Sequence, residues 1–289
     1  MAQQIWFITG SARGFGRALA AAALDAGDLV VATARKPGHL ADLGDRHGDR
    51  VLPVSLDVTD ADAASAAFDR TLERFGRIDV VVNNAGYANI APIETAPRDD
   101  FRRQFETNFW GVYNVTRAAL PILRAQRSGT IVQFSSIGGR VGSTAGLGSY
   151  QAAKFAVDGF TRVLASETAP FGIRCLVVEP SGFATDWAGS SMDIQAFPPA
   201  YDATVGAIAG IMGTATTQAG DPGRAAEILV NVVKRRDLPS HLLLGANAAR
   251  MALDYSRRQI AEADLWQAVS VSADFDQTYP VGFPDEVPQ

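Results

Sequence analysis

Tyr150 and Lys154 stand four residues apart in the apolar, helix-forming stretch SYQAAKFAVDGF at 149–160. On a helix, side chains at i and i+4 lie one above the other, with about 5–6 Å between their Cβ atoms, so a phenol and an ammonium there can share one patch of space. A free phenol titrates near ~10, and a nearby ammonium favours its ionised form. Such a pair could exchange a proton with a bound molecule at neutral pH. The same spacing also suits a lysine that lays its stem along a half-buried tyrosine while its charge reaches water.

A second chemical signal is TGSARGFG at 9–16, which follows the apolar run IWFIT directly and opens a helical stretch. Glycines there permit a tight turn and close backbone approach, so successive N–H groups at the helix start can hold a pyrophosphate. The next apolar run ends in ATARK. A carboxylate at that point would hydrogen-bond an adenosine ribose and repel a 2′-phosphate, but Ala34 stands there and Arg35 follows. A guanidinium can clamp a phosphate bidentately, and Arg13 inside the glycine loop offers a second positive charge. The alternative is that both arginines are ordinary surface cations.

These residues must be carried by a repeating scaffold. Seven β-rich runs, at 5–9, 29–34, 50–56, 78–83, 130–136, 173–179 and 241–245, alternate with Ala-rich helical stretches such as 17–27 and 62–76, each ending in glycine. The runs are continuously apolar, which requires both sheet faces to be covered, as in parallel sheets. The pattern predicts an α/β fold: a doubly wound, mostly parallel seven-stranded sheet with helices on both faces, binding ligands beyond the carboxyl ends of its strands. One domain over 1–250 is expected. Residues 186–223, rich in proline, glycine and small polar residues, are expected to form a mobile segment covering the substrate. A C-terminal extension, 251–289, should be a helix followed by an extended tail.

Composition narrows the function. A net charge of −5, with no basic block longer than KRR at 234–236, argues against nucleic acid, whose binding needs a basic surface. That triplet is expected at a solvated helix end. The single cysteine, Cys175, has no partner for an internal disulfide and falls in a strand run, where a buried position is expected. No apolar run approaches ~18 residues and the start lacks a leader pattern, so no membrane association and a cytoplasmic location are expected. No metal site is expected.

Five motifs in order, TGSARGFG, NNAG at 83–86, Asn108 in TNFWG, Ser136 in FSSIGG, and Tyr150 with Lys154, resemble the short-chain dehydrogenase/reductase family in its short, single-domain form. The resemblance spans roughly 5–250 and implies a Rossmann-type fold and hydride transfer between a nicotinamide dinucleotide and a carbonyl/alcohol pair. It places the dinucleotide against Gly10, Ser11, Arg13, Gly14, Phe15 and Gly16. Asp57 and Val58 would meet the adenine edge, and Asn84, Ala85 and Gly86 the adenosine ribose. Pro180, Gly182 and Thr185 would face the nicotinamide carboxamide, with Ser181 where relatives often have glycine. With Arg35, the expected cofactor is NADP(H) in preference to NAD(H).

Hydride transfer to a ketone builds negative charge on the carbonyl oxygen, which then needs a proton donor and a fixed hydrogen bond within about 3 Å. Tyr150 is the expected donor, made competent by Lys154. The family implies that Ser136 holds the oxygen, that Lys154 also binds the nicotinamide ribose, and that Asn108 links the lysine to bulk water through a bound water. Ser135 competes with Ser136 for its role, Asn108 could instead bond local backbone and kink its helix, and Asp57 could instead cap the helix before DADAA. Fourteen residues separate Ser136 from Tyr150, one more than expected, which puts the shape of the loop between them in question. Phe183, Trp187, Met192 and Phe197 suggest an apolar pocket, unless they pack onto the body. A homodimer or homotetramer is implied. The alternative function is an NADP(H)-binding sensor without turnover. An extended-branch epimerase or dehydratase would need a larger C-terminal domain than ~45 residues allow.

Overall fold

A computed structural model of the protein describes residues 3–185, 192–214 and 220–284. Seven strands, β1 (Ile5–Ile8), β2 (Leu29–Ala34), β3 (Val51–Ser55), β4 (Val80–Asn83), β5 (Gly129–Phe134), β6 (Ile173–Pro180) and β7 (His241–Leu244), form one sheet in the order β3-β2-β1-β4-β5-β6-β7. Every pairing is parallel, including the β6–β7 edge. The order reverses between β1 and β4, and a doubly wound sheet opens a ligand crevice at such a switch point.

Alternate residues of β1 explain why both faces are covered. Trp6 and Ile8 point into one layer and Phe7 into the other. The first layer is closed by helices α1 (Gly14–Asp25), α2 (Ala41–His47) and α9 (Pro222–Val233), with Leu19, Leu24, Leu43 and Leu229 fully or almost fully buried. The second is closed by α3 (Ala61–Phe75), α5 (Gly111–Gln126) and α7 (Gly148–Thr168), through Phe68, Leu123 and Leu164. Between them in sequence lie α4 (Arg98–Phe105), a π-helical turn at Glu106–Trp110, and the four-residue α6 (Gly138–Val141). A short helix α8 (Ala207–Thr214) precedes α9, and a long α10 (Ala246–Val271) follows β7.

Local chemistry sets the ends. Asp60 caps α3 by accepting from the backbone N–H groups of Asp62 and Ala63 at 3.0 and 2.9 Å, and Gly76 closes it at φ 78° with its N–H on Leu72 O. Asp57 is not that cap: its Oδ1 instead accepts from the N–H and hydroxyl of Thr59.

Three other expectations need correction. Lys234 does not point into solvent at a helix end: its Nζ lies 2.7 Å from the buried Asp28 Oδ2, since one helical turn after Val230 it still faces the sheet. Cys175 is half-buried rather than buried: it lies on the interior strand β6 but packs only at the margin of the second layer. The described part of the covering segment is not a bare loop. Residues 192–214 contain 3-10 and π turns and α8, and Ile194 bridges to Ile90 through Ile90 N–H on Asp193 O and Gln195 N–H on Ile90 O, both 2.9 Å. Among the described residues no helix is long and apolar enough to cross a membrane.

Candidate active site

One elongated cavity of about 1280 Å³ lies over the carboxyl ends of β1, β2, β4, β5 and β6. Its floor at one end is the glycine turn. Gly10 and Gly14 have φ of 68° and 57°, which suits glycine, and a Cβ on Gly10 would stand 3.0 Å from Ala85 Cα. Gly10, Arg13, Gly14 and Phe15 line the cavity. Ser11 and Gly16 stand behind it: Ser11 is buried with its hydroxyl donating to Ile8 O at 2.8 Å, and a Cβ on Gly16 would sit 2.4 Å from Gly10 O. These two residues build the turn rather than face a ligand. The N-cap residue Arg13 makes no side-chain cap at the start of α1, and Gly14 and Phe15 of that first turn line the cavity.

Thr9, which sequence reasoning passed over, joins this turn to NNAG. Its Oγ1 accepts from the N–H groups of Asn84 and Ala85 at 2.9 and 3.0 Å and donates to Val82 O at 3.1 Å. Asn84 returns its Nδ2 to Thr9 O at 2.9 Å. Asn84, Ala85 and Gly86 line the middle of the cavity, and Arg35, Asp57 and Val58 line its outer end, where Arg13 and Arg35 are both exposed.

At the inner end stand the serine, tyrosine and lysine. Tyr150 and Lys154 in α7 are buried, at 7% and 4% exposure, and Lys154 Nζ lies 5.7 Å from the centroid of the Tyr150 ring. Ser136 follows β5, accepts from Gly138 N–H at 3.1 Å and is hydrogen-bonded to the Tyr150 phenol. Ser135 is turned away, its hydroxyl donating to Lys154 O at 3.0 Å, which separates the two serines. Lys154 Nζ donates to Phe134 O at 2.6 Å.

The electrostatics differ from the sequence expectation. Burial pushes the Tyr150 phenol up to about 12, with only the Ser136 hydrogen bond acting against it. Burial likewise brings the Lys154 ammonium down to about 8. Desolvation outweighs the field of the amine because both groups are withdrawn from water together.

Asn108 is fully buried in the π turn, an element common at functional sites. Both its amide N–H groups are engaged, on Tyr87 O and Gln104 O at 2.8 Å, and its Oδ1 accepts from Tyr87 N–H at 3.1 Å. The side chain therefore bonds backbone and locks the residue after NNAG. A Cβ on Gly86 would lie 2.5 Å from Asn108 Oδ1 and 3.5 Å from Lys154 Nζ, so the two side chains meet behind that glycine.

The turn after β6 completes the inner end. Pro180, Gly182 and Thr185 line the cavity, and Ser181 is anchored by its N–H to Leu244 O at 3.1 Å. The short chain dehydrogenase profile matches residues 4–195. The chain belongs to the short-chain dehydrogenase family.

It is 48% identical over 272 residues to "Oxidoreductase BOA17" of Botryotinia fuckeliana, covering 93% of this chain and 99% of that one. Among solved structures, a short-chain dehydrogenase from Streptomyces avermitilis superposes with TM-score 0.87 at 36% identity, covering 94% of this chain and 99% of that one. A short chain dehydrogenase from Burkholderia cenocepacia in complex with NADP superposes with TM-score 0.71 at 26% identity, covering 91% and 97%.

In this chain the apolar wall is not the one read from sequence. Phe183 lines the cavity but is buried in the sheet core, its ring 4.8 Å from that of Phe15. Met192 and Phe197 pack on the cluster around Ile90, Leu147 and Tyr150, and Trp187 lies outside the described residues. The wall near Tyr150 is built instead by Val141, Leu147, Ile211, Met212 and Met251. Met251 arrives on α10, from a helix with no sequence signal tying it to the site. The loop between Ser136 and Tyr150 forms α6, followed by Gly142 and Ser143 with φ of 63° and 66°.

Proposed function

We propose that the protein reduces a carbonyl to an alcohol with NADP(H), or runs the reverse, on an apolar small molecule. The observation carrying this reading is the buried Tyr150 phenol, hydrogen-bonded to Ser136 and 5.7 Å below an ammonium, at one end of a cavity whose other end is a glycine turn. The residues fit a dinucleotide: the close packing of Gly10 on Ala85 leaves backbone where side chains would intrude, and the uncapped start of α1 suits a pyrophosphate.

A nicotinamide dinucleotide bound there supplies or accepts the hydride. Ser136 Oγ holds the carbonyl oxygen, and Tyr150 passes its phenolic proton to that oxygen as charge develops. Lys154, fixed through Phe134 O, has two further N–H donors for a ribose. Asn108 holds Tyr87 and the π turn so that Gly86 keeps its contact with Lys154. Arg13 and Arg35, exposed on the cavity rim, favour a 2′-phosphate.

For self-assembly, the exposed Trp110 extends a ring cluster of Phe109, Tyr113 and Phe160, a face on the π turn, α5 and α7 suited to a homodimer. Light scattering reads this directly: a Trp110→Glu variant should be monomeric.

A carbonyl panel followed by NADPH absorbance, with Tyr150→Phe in parallel, tests the activity. Turnover lost in the variant supports the reading, whereas tight NADPH binding without turnover of any apolar ketone or aldehyde would favour the sensor alternative.

A further inference from the structure

Glu179 is the penultimate residue of β6 and is fully buried. A carboxylate withdrawn from water costs several kcal/mol unless it is paired with good geometry. Arg140 provides that geometry from α6: its Nε lies 3.0 Å from both carboxylate oxygens, and one Nη 2.9 Å from Oε2. Replacing such a pair with apolar residues is commonly neutral or stabilising, so stability alone gives a weak account of its presence. Neither side chain lines the cavity.

What the pair joins is more informative. Glu179 immediately precedes Pro180 and the turn at the inner end of the cavity, and Arg140 lies four residues after Ser136. Apart from the pair, these two segments are tied by Ile137 N–H on Pro180 O at 3.0 Å. On its other side α6 is pressed against α7: a Cβ on Gly139 would stand 2.4 Å from Ser135 Oγ and 2.8 Å from Lys154 Cβ. The four-residue α6 is thus wedged between the helix carrying Tyr150 and the strand leading to the turn.

We infer that Arg140 and Glu179 are positioning residues that fix the gap between Ser136 and the Pro180–Gly182 turn, and so the placing of a carbonyl held by Ser136 against a ring held by that turn. The inference rests on the reductase reading above. A planar fork engaged through two nitrogens sets both distance and angle, which a point charge on a flexible stem cannot do. Misplacing reacting groups by about 1 Å can cost about 10²-fold in rate.

The test uses the full chain as Arg140→Lys and as the double variant Arg140→Met/Glu179→Leu, with thermal midpoint, NADPH binding by fluorescence, and kcat and KM on the best ketone. The double variant should keep its midpoint within a few degrees, lose at least tenfold in kcat and bind NADPH at least threefold more weakly. Arg140→Lys, which keeps the buried carboxylate paired but loses the fork, should fall between. If the double variant folds with kcat and NADPH affinity within twofold of wild type, the inference is overturned. If it fails to fold, Arg140→Lys decides: wild-type kcat and NADPH affinity there overturn it too. Should the wild-type chain turn over no carbonyl, the reductase reading fails by itself, and the positioning role is then read from NADPH affinity alone.

Discussion

Alcohol oxidation by this protein should accelerate about tenfold per pH unit between about 6 and 9, while carbonyl reduction stays flat over the same range. The reasoning starts from Tyr150, whose phenol is pushed up to about 12 by burial. Reduction needs the phenol protonated, and it is protonated throughout that range. Oxidation needs the phenolate to take the alcohol's proton. At pH 7 an ordinary phenol near ~10 is ionised in about one molecule in 10³, and one near 12 in about one in 10⁵, a difference of about 3 kcal/mol. Far below its titration point the ionised fraction rises tenfold with each unit, so log kcat/KM for oxidation should climb with a slope near one. The assay is initial NADPH formation from an apolar secondary alcohol across pH 6–9, with Tyr150→Phe alongside. The variant should lose the slope and fall about 10²–10⁴-fold in the reductive direction. Its fold should persist, because the ring still fills its site and only one hydrogen bond, worth about 1 kcal/mol, is removed. A wild-type oxidation profile that levels near pH 7 would refute the reasoning, since the amine and not burial would then be setting the phenol.

Further outcomes follow from the same geometry. Lys154 has a folded value of about 8 against 10.5 in an exposed chain. The unfolded state therefore binds more protons between those values, and this group's contribution to stability rises with pH through that window. Urea midpoints at pH 8 and 10 should diverge less in Lys154→Met than in wild type. In Gly86→Ala the new Cβ would meet Asn108 Oδ1 at 2.5 Å, so calorimetry should show a loss of about 1–3 kcal/mol as that amide is displaced. Arg35→Ala should weaken NADPH about tenfold and leave NADH within twofold, by fluorescence titration, with the gap shrinking at high salt. Asp60→Ala should cost about 1 kcal/mol in chemical denaturation without touching turnover, because only the start of α3 loses its acceptor.

The seven strands were legible in the sequence because each is a short, continuously apolar run bounded by glycine or polar residues, and a parallel sheet covered on both faces demands that pattern. The glycine turn and the i, i+4 pair of Tyr150 and Lys154 were legible for a related reason: backbone freedom and helical spacing are local properties. Distances across the fold are not local. That Ser136 and not Ser135 faces the phenol depends on which way β5 turns as it ends, and Ser135 is claimed by Lys154 O from a helix nineteen residues away. Thr9 joining two loops, Met251 reaching the cavity on α10, and Arg140 meeting Glu179 each pair residues far apart in the chain, and such pairings exist only once the layers have packed. The same is true of the phenol's acidity. The sequence supplied the neighbouring amine, but the degree of burial that outweighs it is set by the closed packing around α7, which no spacing rule contains.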